Sequence, residues 1–354
     1  MKTLTKILSL IVIAGFIACE PNDTVEPTPP SEGDVIEPNV GGPDQPNQAF
    51  IDLSTGVATA VAKDSWDLGF STDANFNVIL NYAAKVVARP TDKTNLNEVT
   101  SVLVTDEYKA ETVVGFDGNI EWIDNPDGNL NETAIAPISA TDNDNVVYVI
   151  NRGDIEVSGA VQERGFLKVK ITRQGEGYSV TYGEIDATTY ETVTIAKDSK
   201  YNFTFFSFDD GVVNVEPEQK LWDLQMTTFT NYTFDGVKNV PYQFKDFSII
   251  NYQNVKMASI EVTTEVTYAN FSYADAQAIT FENDRLGIGS SWRGAIFNPD
   301  YTVDYYVKDD IFYVIEDPDG NLYKLSFTRM LCVDASCAGE RGHPEFVYEL
   351  LKDE

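Results

Sequence analysis

Three cysteines and one histidine are the residues of this 354-residue chain best suited to covalent or metal chemistry. Cys332 and Cys337 enclose four residues, and His343 follows six further on. Two thiols so spaced can close a disulfide across a loop if the geometry suits. They could instead offer sulfur to zinc with His343 as a third ligand, but a structural zinc site wants four. An oxidising compartment favours the disulfide, and no metal is expected. Asp142-Asn143-Asp144-Asn145 opens like a calcium loop but lacks the glycine and the distal glutamate. Gly287-Ile288-Gly289-Ser290-Ser291 has no following Lys-Thr, so it is not a phosphate loop. With a single histidine, a Ser-His-Asp triad could use only His343, and no nucleophile is marked for it. No carboxylate pair stands out among the 56 acids for glycoside chemistry. No catalytic constellation is marked, so the chain is not expected to be an enzyme.

The third cysteine sits at the end of an export signal. Met1-Lys2-Thr3-Leu4-Thr5-Lys6 is a basic start, and Ile7 to Ile17 is an apolar run too short to span a bilayer. Phe16-Ile17-Ala18-Cys19 closes it in the manner of a bacterial lipobox, which makes residues 1–18 a lipoprotein signal peptide and Cys19 the lipidated first residue. The expected location is the outer membrane, lipid-anchored, on its surface or periplasmic face. The formal charge is −31, and removal of Lys2 and Lys6 with the signal makes the mature chain more acidic still. Such a surface repels nucleic acid. Residues 20–47 carry seven prolines, seven acids and neither lysine nor arginine. That composition predicts a disordered tether over 19–47.

Beyond the tether the pattern is β. Leu167 to Arg173 alternates apolar and polar residues, Gln174-Gly175-Glu176-Gly177 turns the chain, and Tyr178 to Tyr182 alternates again. Ile311 to Ile315 and Leu322 to Phe327, joined by Asp317-Pro318-Asp319-Gly320, make a second hairpin. The best helix candidate is short, Ser272 to Gln277. An internal echo adds organisation. Phe50-Ile51-Asp52-Leu53-Ser54-Thr55-Gly56 followed by Trp66-Asp67-Leu68 is answered by Phe206-Ser207-Phe208-Asp209-Asp210-Gly211 followed by Trp222-Asp223-Leu224. Val147-Tyr148-Val149-Ile150 is likewise answered by Phe312-Tyr313-Val314-Ile315. The expectation is all-β, with two tandem strand-rich domains over 48–186 and 187–354. Trp66 and Trp222 are expected to anchor the core of their own halves, because large aromatics dominate core burial.

Asp52-Leu53-Ser54-Thr55-Gly56, both Trp-Asp-Leu triplets, Tyr201 to Phe208, Asp317 to Phe327, and Gly339-Glu340-Arg341-Gly342 before Glu345-Phe346-Val347-Tyr348 resemble the HmuY family of haem-binding lipoproteins from Bacteroidota. The resemblance implies an all-β domain that holds haem or another tetrapyrrole and passes it to an outer-membrane haem receptor. It also implies a pair of axial His or Met side chains near residues 253–271 and 292–300. The first segment offers Met257 and the second offers neither residue type. Buried haem iron takes His, Met, Cys or Tyr. Met257 and His343 are therefore the candidates for axial ligands, with a tyrosine of Tyr301 to Tyr306 as another. The alternative is a surface β-protein that keeps the fold, has lost haem, and serves protein–protein contacts.

Overall fold

The computed structural model describes residues 29–353. Cys19, the export segment and tether residues 19–28 lie outside the described residues. In chain order the strands of the first half are β1 (Gly33–Ile36), β2 (Asn47–Asp52), β3 (Val57–Ala62), β4 (Leu68–Ser71), β5 (Val78–Leu80), β6 (Val87–Pro90), β7 (Val147–Asn151), β8 (Asp154–Val157), β9 (Ala160–Glu163), β10 (Phe166–Gln174) and β11 (Gly177–Glu184). The second half adds β12 (Glu191–Ile195), β13 (Phe203–Ser207), β14 (Gly211–Val213), β15 (Leu224–Phe234), β16 (Asn239–Ile250), β17 (Lys256–Glu261), β18 (Arg293–Phe297), β19 (Val303–Val307), β20 (Ile311–Glu316), β21 (Leu322–Leu331) and β22 (Arg341–Leu350). Two short helices, α1 (Asp106–Glu111) and α2 (Tyr273–Gln277), interrupt them. The fold is all-β.

The hairpins pair as their alternation and turn residues dictate. In β10–β11, Leu167 lies opposite Glu184 and Gln174 opposite Gly177, with Gly175 at positive φ in the turn. In β20–β21 the Asp317 carboxylate accepts the amides of Asp319 and Asn321 and so fixes the turn. α2 begins with a reciprocal cap between Ser272 and Asp275. The segment between β6 and β7 departs from the strand pattern. It is a long irregular excursion with α1 and short 3-10 turns, whose Leu96, Val99 and Val104 pack on Val147 and Val149.

Two five-stranded sheets form the ends of the molecule. One runs β12-β11-β10-β7-β6 and the other β1-β22-β21-β20-β17. They carry like residues in like register. Val169 lies opposite Tyr148 and Tyr182, and Leu325 opposite Tyr313 and Tyr348. The neighbouring buried lysines are also matched: Lys168 donates to the Val99 carbonyl at 2.8 Å, and Lys324 to that of Phe271 at 3.3 Å.

Between these sheets the two halves exchange strands, which corrects the division at 186/187. β2 pairs with β15, setting Ile51 opposite Leu224, while β13 pairs with β4, setting Phe206 opposite Leu68. Each Trp-Asp-Leu strand thus takes one neighbour from the other half and one, β5 or β16, from its own. Residues from Ser31 onward form one compact unit. Trp66 and Trp222 share a single cluster with Phe50, Ile79, Phe203, Phe205 and Val215, so they hold the joint rather than separate cores. Trp66 packs edge-on against Phe205 at 4.8 Å, and Trp222 against Phe50 at 5.1 Å. The physical reason is that a strand of each half is hydrogen-bonded into a sheet of the other, so the aromatic residues at both exchanges meet in one cluster.

The proposed tether is also shortened. β1 adds to the edge of β22, with Gly33 opposite Glu349 and Ile36 opposite Phe346. Ile36 and Val40 are buried, and the Gln45 side chain and the Asp246 main chain and carboxylate exchange hydrogen bonds at 2.6 and 2.9 Å. A proline- and acid-rich segment cannot build a core of its own. It can still lie on a sheet edge that supplies main-chain partners and a place for two apolar side chains.

Candidate functional site

The Trp-Asp-Leu triplets build two related clusters at the joint. The Asp67 amide donates to the Phe206 carbonyl, and the Asp67 carboxylate accepts the Phe208 amide at 2.9 Å. In the other half the Asp223 amide donates to the Ile51 carbonyl, and its carboxylate accepts the Leu53 amide at 2.7 Å. A buried asparagine clamps each: Asn81 donates to the Trp66 carbonyl at 2.7 Å, and Asn251 to that of Trp222 at 3.0 Å. The indole N–H groups of Trp66 and Trp222 have no hydrogen-bond partner among the described residues.

Charge separates the two clusters. Asp67 is caged by arginines, with Arg152 Nη2 at 3.0 Å and Arg164 Nη2 at 2.9 Å. Arg152 also bridges to Asp209. Asp223 has no such partner among the described residues. Burial pushes its pKa well above the usual carboxylate range, the Leu53 amide opposes this, and the charges of Asp317, Asp52 and Asp319 add to it. By register, Asp317 follows β20 where Arg152 follows β7. One half sets two guanidinium groups against its buried aspartate, whereas burial in the other disfavours the charged form of Asp223. Neither arginine was singled out from sequence. The available signal was Arg152, a lone basic residue two positions after the apolar run Val147 to Ile150.

The residues considered for iron are not brought together. Met257 lies in β17 with its side chain 3% exposed, and its sulfur packs against the backbone of Gly287. His343 lies at the start of β22, with Nδ1 3.3 Å from Glu37. Three strand spacings separate β17 from β22 in the sheet, roughly 14 Å, and the register adds seven residues, roughly 20 Å along the strand. Two side chains that far apart cannot flank one iron. The hairpin β18–β19 presents Ile296, Phe297, Tyr301 and Tyr306 to solvent, while the Arg341 guanidinium lies 4.0 Å over the Tyr305 ring. A 290 Å³ cavity lined by Tyr201, Phe203, Phe205, Val213 and Glu216 contains neither histidine nor methionine. Met257 and His343 therefore do not form an axial pair.

Cys332 and Cys337 are joined as a disulfide in the loop between β21 and β22. No described helix is long and apolar enough to cross a membrane.

The sequence profile of HmuY protein matches residues 44–348. The chain belongs to the HmuY family. No curated protein matches this HmuY-family chain. Among solved structures, apo PinO from Porphyromonas gingivitis is similar at 10% identity and a TM-score of 0.26, covering 92% of this chain and 100% of that one. A protein from Bacteroides vulgatus described as HmuY-like and heme-binding shares 12% identity, with 91% and 94% covered and a TM-score of 0.23. The apo HmuY analogue of Tannerella forsythia shares 11% identity, with 91% and 96% covered and a TM-score of 0.24. Membership in the HmuY family rests on the profile match; the structural similarities are too distant to transfer a site.

Proposed function

We propose that this HmuY-family chain is a cell-envelope lipoprotein, anchored through Cys19, that takes part in haem or tetrapyrrole acquisition and hands its cargo to an outer-membrane receptor. The observation that carries this reading is the family match over residues 44–348. Met257 and His343 have no role as an axial pair in it, because the β-sheet register holds them apart. The exposed aromatic hairpin β18–β19 is the surface that would meet a flat, apolar ring, and its tyrosines are the side chains there able to reach iron.

A hemin titration of the full chain tests this. The expected result is a shifted Soret band saturating at one hemin per chain, unchanged by Met257→Ala or His343→Ala and weakened by Tyr301→Phe or Tyr306→Phe. A second reading, a fold that has lost haem and serves protein contacts, is favoured by the separation of Met257 from His343. It predicts no spectral change at any hemin concentration.

A further inference from the structure

The disulfide loop holds a ligand set that the haem reading leaves unused. The ligand atoms of Cys332, Cys337 and His343 all lie within 4.8 Å of one another. The order is Cys-x4-Cys followed by a histidine, which is within the spacing that zinc sites use. Cys332 is buried and the other two are half-buried, so the group is partly screened from water yet reachable.

Two features make the arrangement more than a disulfide with a nearby ring. The loop is shaped by its own main chain. The Cys332 amide donates to the Glu340 carbonyl at 2.8 Å and the Gly339 amide to the Cys332 carbonyl at 3.0 Å. The Cys337 amide donates to the Asp334 carbonyl at 3.1 Å and the Glu340 amide to the Cys337 carbonyl at 2.9 Å. Reduction therefore leaves the thiols facing each other. The histidine, in turn, is oriented from outside. Glu37 meets Nδ1 at 3.3 Å and is itself held by Arg329 at 2.6 Å. A carboxylate on one ring nitrogen fixes the ring and leaves the other for a metal, the usual outer support of a metal-binding histidine.

We propose that Cys332, Cys337 and His343 form a redox-gated site for a thiophilic divalent cation such as zinc, closed when the disulfide is intact and open when it is reduced. A dithiol reductant supplies two electrons and two protons, cleaves the S–S bond and leaves as its own cyclic disulfide. The cation then binds both sulfurs and the free imidazole nitrogen, releasing the two thiol protons. The fourth position stays open for water or an added ligand.

Cobalt(II) is the probe, added to the full chain reduced by a phosphine, which is removed with its oxide before titration. The reduced protein should bind one cobalt with thiolate-to-metal charge-transfer bands and the visible spectrum of a tetrahedral ion. The oxidised protein, identical in sequence, should show neither. Cys332→Ser should abolish the bands, His343→Ala should weaken binding by at least about tenfold, and Glu37→Gln by about tenfold. The proposal is overturned if reduced protein gives no charge-transfer band, or if the band and affinity are the same in Cys332→Ser. An unchanged affinity and visible spectrum in His343→Ala would equally overturn it, since two thiols alone would then account for the binding.

Discussion

Asp67 and Asp223 occupy matching places and solve the same electrostatic problem in opposite ways. Removing Arg152 leaves Asp67 buried with one guanidinium instead of two, so Arg152→Ala is expected to destabilise the chain by about 3 kcal/mol or more at pH 7. Asp223→Asn should cost much less than that at the same pH, because burial disfavours the carboxylate charge and an amide keeps the shape and an oxygen to accept the Leu53 amide. Denaturant melts of the two variants compare them directly. Glu216 adds a pH dependence. Burial raises its pKa to about 8, against opposing hydrogen bonds from Phe203 and Asn202. The unfolded chain, with the ordinary value near 4.5, loses this proton first. The folded state therefore holds more protons between these values, and stability from this group is full below about pH 4.5 and lost as pH rises toward 8. Glu216→Gln should flatten that fall, on the order of a few kcal/mol, in melts taken from pH 5 to 8.

Strands β1 and β22 show how an element can be decided by its neighbour. The 33–46 segment docks where Gly342, at positive φ, comes against the Gly42 carbonyl. A methyl group at Gly342 would run into that oxygen and strain the backbone as well. Gly342→Ala should release the segment, read as faster proteolytic cleavage around Gly41 and Gly42, while β20–β21 stays protected from hydrogen exchange. Equal cleavage rates in both proteins would show that the docking does not depend on this contact. The hairpins β10–β11 and β20–β21 were legible in the sequence, because alternation and turn residues act within a few positions. The 91–146 excursion was not. Its apolar residues are scattered among turn formers, and tertiary packing orders them: Leu96, Val99 and Val104 on β7, Ile135 and Ile138 in the cluster that holds Leu68 and Phe70.

At the scale of the molecule, strand exchange makes each half depend on the other. Residues 48–186 alone would expose β4 without β13, and residues 187–354 would expose β15 without β2. Both would also uncover the Trp66–Trp222 cluster. Each half expressed separately should lack cooperative unfolding, and mixing the two should restore a sharp transition. Cooperative melting of either half by itself would contradict the shared joint.

Pattern along the chain was enough to establish strands and turns, because period-two alternation and turn dihedrals are local properties, and the ordered motifs were enough to indicate the family. Partner choice is not local. Which half supplies the neighbour of each Trp-Asp-Leu strand depends on hydrogen bonds between segments about 150 residues apart. The charge balance that gives Asp67 two arginines, and Asp223 none among the described residues, likewise depends on contacts far along the chain, here with Arg152 and Arg164. The same holds for the distance between Met257 and His343: the sequence offers both as ligands for one iron, and only the strand order and register of the folded sheet set them apart.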